Sequence, residues 1–195
     1  MPAARRSADE ANRPLRADAQ RNRDAILSAA RTAFDAEGVL TSLDGIALRA
    51  GVGNATLYRN FPTRDDLLAA VMQAGIADAL TEADDLARTR PAREALAEWL
   101  VRLAWQLRIW HDLPYCLATA MRDDASPVQA TSDPLMVRTG GFLEAAKASG
   151  DVAGDVTAEE VYELVLALSW GIDRYRDDEV LARRRVAMGT AGIFA

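Results

Sequence analysis

The stretch from Thr41 to Leu68, TSLDGIALRAGVGNATLYRNFPTRDDLL, constrains the fold more than any other part of the chain. Two breakers divide it, Gly51-Val52-Gly53 and Pro62. Ser42 and Asp44 offer helix-start oxygens ahead of an apolar face of Ile46, Ala47 and Ala50. The glycines end that helix, and both permit the positive φ of a tight turn. Asn54 is placed to cap a second helix over 55–60, with Leu57 on its inward side and Phe61 just beyond. Pro62 opposes continuation. Thr63, with Asp66 three residues on, opens a third helix in a pattern close to a capping box. Two short helices joined by a glycine-containing turn are the helix-turn-helix signature, whose second helix enters a DNA major groove.

The segment IALRAGVGNATLYRNFPTRDDLL resembles the DNA-binding segment of the tetracycline-repressor (TetR) family of bacterial one-component regulators. The resemblance lies in Ile46-Ala47, Ala50-Gly51-Val52, Thr56-Leu57-Tyr58, Phe61 and the run Thr63 to Leu68. It departs at Gly53, where the family commonly has a small hydroxyl residue, at Ala55, where it has glycine, and at Asn60, where histidine often precedes the phenylalanine. The resemblance implies DNA-contact candidates at Ser42, Arg49, Gly53, Asn54, Ala55, Thr56, Tyr58, Arg59, Asn60 and Arg64.

The 195 residues are 50% hydrophobic and 27% charged, enough for real cores and too apolar for a disordered chain. Alanine and leucine abound and β-branched alternation is scarce, so the expected class is all-α. A three-helix N-terminal head is followed by a C-terminal bundle, about nine helices in all. The expected organisation is an arm over 1–17, a helix-turn-helix domain over 18–65, and a ligand-binding and dimerisation domain over 66–195. A net charge of −6 looks unfavourable for a DNA binder, but residues 1–70 carry +1 and the remainder −7. The acidic part is thus expected to face away from the phosphates. Cys116 stands alone, which excludes an internal disulfide and agrees with a reducing cytoplasm. Neither a signal peptide nor an apolar run of membrane-spanning length is present in the sequence.

Arg5, Arg6, Arg13 and Arg16 punctuate the first 17 residues, which read as disordered in the free protein, either a solvated tail or an arm that touches DNA. Ile26, Leu27, Ala30, Ala33 and Phe34 give the next helix its inner face, and Leu40 and Leu43 are expected to pack the following turn. Beyond Thr63 a long helix reaches to about residue 87. Pro91 restarts the chain into a Trp- and Leu-rich helix over 92–109. A short helix over 115–121 and a loop over 123–127 follow, then a helix bent or delayed by Pro134. Gly140-Gly141 within it implies close packing or a local break. Thr157-x-x-Glu160 is a capping box for the penultimate helix, and the last begins at Asp177-Asp178.

Catalytic and metal readings are weak. His111 and Cys116 are the only residues of their kinds, too few for a structural zinc site, and no Walker, HExxH, GxSxG or GxGxxG motif occurs. No cofactor is expected. Trp99, Leu103, Trp105, Trp110, His111, Tyr115, Phe142 and Trp170 are the effector-pocket candidates, with Met121 and Tyr162 in the same aromatic and sulfur-bearing set. An aromatic stripe also reads as plain core, and the resemblance is what favours a pocket. The resemblance further implies a homodimer through the last two helices, with Val161, Leu164, Val165, Leu168 and Val186 at the interface. The run Arg183-Arg184-Arg185 would then need an acidic neighbour such as Glu163 or Asp173. The implied activity is a cytoplasmic repressor released from double-stranded operator DNA by a small-molecule effector. Alternatives are a helical-bundle enzyme or carrier, and a ligand-independent DNA-architecture protein.

Overall fold

Alanine, leucine and arginine are strong helix formers, and the chain follows them: its described residues form nine α-helices and one 3-10 turn. In this computed structural model the backbone is described from Ala4 and side-chain surroundings from Asp18. Two compact units are present, Met1–Val71 and Met72–Ala195. The division falls inside a helix, later than the expected break after residue 65, because Leu67, Leu68 and Val71 are buried and Arg31 reaches the Val71 carbonyl at 3.5 Å.

In the N-terminal unit, α1 (Ala4–Glu37) begins well before the expected Asp18. The side chains of the expected arm, its four arginines included, lie outside the described residues. Ile26, Ala30, Ala33 and Phe34 are buried, as their spacing predicts, and Gly38 follows with φ +84° at the helix end. Val39, not Leu40, packs the next turn; Leu40 is exposed and Leu43 half-buried. The exit angle set by Gly38 points Val39 inward. Helices α2 (Leu43–Arg49) and α3 (Asn54–Asn60) then pack on α1, and α4 (Arg64–Thr89) begins the next segment.

The C-terminal unit contains the rest of α4, then α5 (Ala92–Leu107), α6 (Leu113–Ala120), α7 (Pro127–Ala148), α8 (Ala158–Tyr175) and α9 (Glu179–Gly189). Helix α5 packs against α7, α8 and α9 and buries Leu96, Trp99, Leu100, Leu103 and Leu107. Helix α7 starts earlier than Pro134 predicts. Ser126 caps it, Pro127 takes the first helical position where no donor is needed, and Pro134 is accommodated inside. At Gly140 an added Cβ would lie 3.4 Å from the Ala158 Cβ, the close packing that the glycine pair implies. Thr157 and Glu160 form the expected capping box. Helix α9 stops at Gly189, and a 3-10 turn (Ala191–Ile193) carries Phe194 to a bridge with Val152.

The arginine run finds partners other than the expected Glu163 and Asp173. Arg183 donates to Glu98 at 2.6 and 3.3 Å, and Arg185 to Asp177 at 2.6 and 3.1 Å, while Arg184 is exposed. Helix α9 lies on α5, which brings Arg183 to Glu98. Arg102 also donates to Glu98, at 3.1 Å. The Arg183 hydrogen bond, reinforced by Arg102 and opposed by burial, holds the Glu98 carboxyl down from 4.5 to about 2. A carboxyl lowered on folding stabilises the fold fully above its unfolded value and loses that stabilisation as pH falls through the folded value. Stability is therefore expected to fall between pH 4.5 and about 2 partly through this group. Glu98→Gln should flatten that acid limb in unfolding titrations, and an unchanged limb would mean the cluster contributes nothing.

Candidate nucleic-acid interface and ligand cleft

The turn between α2 and α3 is fixed by backbone chemistry. Gly51 has φ +67°, its N–H donates to Leu48 O at 3.1 Å, and Val52 N–H donates to Ala47 O at 3.1 Å. These two bonds are the Schellman arrangement, which needs the left-handed conformation at Gly51. Gly53 has φ −74° and does not use its conformational freedom. Gly53, not Asn54, is the N-cap of α3. Asn54 instead donates its side-chain amide to Asp44 at 2.8 Å, tying the start of α3 to the start of α2. Ser42 caps α2 by accepting from Gly45 N–H. Thr63 and Asp66 complete a reciprocal cap for α4, with bonds of 2.9 and 3.1 Å.

Leu57 and Phe61 anchor α3 with 1% exposure each, and the Arg23 guanidinium lies 4.5 Å from the centre of the Phe61 ring. The opposite side of α3 presents Asn54, Ala55, Tyr58 and Arg59, with Thr56 and Asn60 half-buried beside them. Tyr58 is 45% exposed, large for an aromatic ring. Arg59 folds back on its own helix, donating to Ala55 O at 3.0 Å and Thr56 Oγ1 at 3.3 Å. Asn60 donates to Thr56 O at 2.8 Å. Arg49 pairs with Glu37, whose carboxyl is lowered by the Thr41 hydroxyl first and by Arg49 second. Arg64 donates to Val39 O at 2.7 Å, so within the head it acts as a staple. Of the candidate contacts, Ser42, Arg49, Gly53, Asn54, Ala55, Tyr58 and Arg59 are exposed, and the side chains of Arg49, Asn54, Arg59 and Arg64 are held by partners within the head.

The C-terminal candidates separate into two groups. Trp99, Leu103, Trp110 and Phe142 are buried core. Trp99 stacks on Phe142 with centroids 5.6 Å apart and donates its indole N–H to Thr139 Oγ1 at 2.9 Å. Trp105 is half-buried beneath the Arg108 guanidinium, 3.4 Å from its ring centre. His111 is exposed, with Nδ1 2.8 Å from the Asp173 carboxylate. Tyr115 and Trp170 line a cleft of about 620 Å³ between α6 and α8 with Met121, Leu166 and Arg122. A neighbouring cleft of about 390 Å³ along α7 and α8 is walled by Met121, Ser132, Asp133, Met136 and Tyr162. The sequence reading missed the polar members, Ser132, Asp133, Glu159 and Glu163. The offsets from Glu159 to Glu163, Ala167 and Trp170 mark one helical stripe beside the core stripe, a signal in the sequence that points to them.

The interface candidates also separate. Val161, Val165 and Val186, expected at the interface, are at most 1% exposed and packed into the protomer's own core. Leu164 and Leu168 are half-buried and continue into exposed Tyr175 on α8; Leu181 and Met188 are exposed on α9. An added Cβ at Gly189 would meet Leu168 Cδ2 at 2.7 Å, so the two helices approach closely there. Among the described residues no cluster of three His, Cys, Asp or Glu side chains is arranged to hold a metal, and no helix is long and apolar enough to cross a membrane.

Comparison with known proteins covers both units. Residues 26–71 match the bacterial regulatory proteins, tetR family, and residues 91–194 match the SbtR-like transcriptional regulator C-terminal domain. An HTH-type transcriptional regulator of Staphylococcus aureus is 43% identical over 60 residues, 30% of this chain and 32% of that protein, so the match spans about a third of this curated relative. A TetR transcriptional regulator from Streptomyces coelicolor is similar at 27% identity and TM-score 0.56, over 88% of this chain and 98% of that one. FadR of Thermus thermophilus, a repressor solved in complex with lauroyl-CoA, shares the fold at TM-score 0.61 and 19% identity, over 89% of this chain and 95% of that one.

Proposed function

The chain belongs to the tetR family of bacterial transcriptional regulators, and from that premise we propose that it is a cytoplasmic homodimeric repressor that releases operator DNA when a small molecule occupies its C-terminal unit. The observation that carries the dimer is the outward apolar stripe of the last two helices. With Val161, Val165 and Val186 already satisfied inside the protomer, Leu164, Leu168, Tyr175, Leu181 and Met188 still face outward. Positions 164, 168 and 175 share one helical face, and a two-fold copy of it would bury that face in a four-helix arrangement. The two heads would then read half-sites about 34–36 Å apart in successive major grooves. The effector works by binding more tightly to the head spacing that does not fit DNA.

Operator recovered by selection from random DNA should be a two-fold repeat, and sedimentation at micromolar concentration should give a dimer. Met188→Glu places a charge on the exposed stripe without entering the core. It should shift the protein toward monomer and weaken operator binding together. A monomeric parent protein, or a Met188→Glu variant that dimerises as well as the parent, sinks the assignment.

A further inference from the structure

The clefts beside α6, α7 and α8 carry a charge and polarity pattern that selects among ligands. They are neighbours that share Met121 and Glu159 in their walls, and are taken together as the two parts of one groove. Its body is apolar and polarisable: Tyr115, Trp170, Met121, Met136 and Leu166. Its charged lining is three carboxylates, Asp133, Glu159 and Glu163, against the single guanidinium of Arg122. Arg122 lines only the wider part near Tyr115 and Trp170. The narrower part has Asp133 and Glu159 and no cation.

A second observation marks the narrow end. Tyr162 is 2% exposed and forms part of its wall, and its hydroxyl has no hydrogen-bond partner. Burial pushes the phenol's pKa up and the Asp133 carboxylate adds to that, while the nearby Ser132 hydroxyl offsets it in part without completing a hydrogen bond. Tyr162 is therefore a neutral phenol in its working range, with lone pairs that accept and a proton that donates. A buried hydroxyl left without a partner is destabilising, and a ligand group seated beside it would offset that cost. An anionic ligand head placed there would face Asp133 and Glu159 with no cation to balance it. A protonated amine would donate to the phenol oxygen and be attracted by the Asp133 carboxylate. Its apolar body would lie along Met121 toward Trp170 and Tyr115, whose ring faces also attract cations.

We propose that the effector groove accepts a protonated organic amine with an aromatic or branched apolar body, its nitrogen at Asp133 and Tyr162. This rests on the reading that the C-terminal unit takes a small-molecule effector. Tyr162 and Asp133 belong to stripes of α8 and α7 distinct from the outward stripe of Leu164, Leu168 and Tyr175, so groove and dimer surface can be perturbed separately.

The test uses the full-length protein and three probes of one shape: 2-(1-naphthyl)ethylammonium, 2-(1-naphthyl)ethanol and 1-naphthaleneacetate, titrated by calorimetry. The expected result is that the ammonium binds at least about tenfold more tightly than either isostere, and that Asp133→Asn and Tyr162→Phe each remove most of that preference. Both substitutions keep side-chain volume, and circular dichroism verifies the fold. The inference is overturned by carboxylate or alcohol binding as tightly as the ammonium, by no ammonium binding at about millimolar concentration, or by an unchanged preference in both variants. Operator titration in saturating ammonium separates the two readings. Binding with no change in operator affinity overturns the effector reading and upholds the groove, while operator release by a non-basic compound alone does the reverse.

Discussion

Trp99→Ala should destabilise the protein by about 3–5 kcal/mol, the range for removing a large ring from a core. Trp99 is 1% exposed, stacks on Phe142 and donates to Thr139. It lies on α5, the helix against which α7, α8 and α9 all pack, so the void would open where these elements meet. Trp99→Phe should cost less, because the ring remains and only the indole hydrogen bond and some volume are lost. Thr139 Oγ1 keeps its own bond to Leu135 O at 2.8 Å, so no buried donor is stranded. Urea unfolding at one fixed protein concentration measures both, since association adds to apparent stability. If Trp99→Ala were nearly neutral, the ring would be lining a solvent-filled pocket and its placement in the core would be wrong.

Tyr58→Ala should weaken binding to the selected operator by roughly five- to 150-fold, corresponding to about 1–3 kcal/mol for one good groove contact. The substitution leaves the head intact, because Leu57 and Phe61, not Tyr58, hold α3 and alanine is a better helix former. A paired measurement at two salt concentrations distinguishes the kind of contact. Tyr58 carries no charge, so its loss should leave the salt slope unchanged, whereas Arg59→Ala should make it shallower by about one phosphate. Wild-type operator affinity for Tyr58→Ala would remove α3 as the reading helix, or at least Tyr58 as its contact.

The head was largely legible in the sequence because its signals are local. Gly51, Leu57, Phe61 and the Thr63–Asp66 cap act within a few residues, where spacing translates directly into geometry. Spacing makes Asn54 a cap, whereas its side chain is engaged by Asp44, ten residues away, a partner that spacing does not reveal. The C-terminal bundle was legible as helices but not as surfaces. Helical phase groups Val161, Leu164, Val165 and Leu168 on one broad stripe; it cannot say which edge faces α5 and which faces outward. The same limit applies to the rings. Trp99 and Trp170 are chemically identical, yet one is core and the other lines a cleft, because that difference is decided by which helix lies opposite.

Helix α8 shows how little slack such an arrangement leaves. Its 18 residues serve the core through Val161, Val165 and Ile172, the groove through Glu163 and Trp170, and the outward stripe through Leu164 and Leu168. Successive residues are turned by about 100°, so each job recurs every three or four positions and none has a segment to itself. Point substitutions can alter one duty at a time: a different side chain at Trp170 would reshape the groove and leave the valines in place. A one-residue insertion or deletion near Ala158 would rotate every later side chain into its neighbour's duty at once. Along this helix, the lining of the groove is free to diversify by exchange of side chains, while length and register are held fixed by all three duties together.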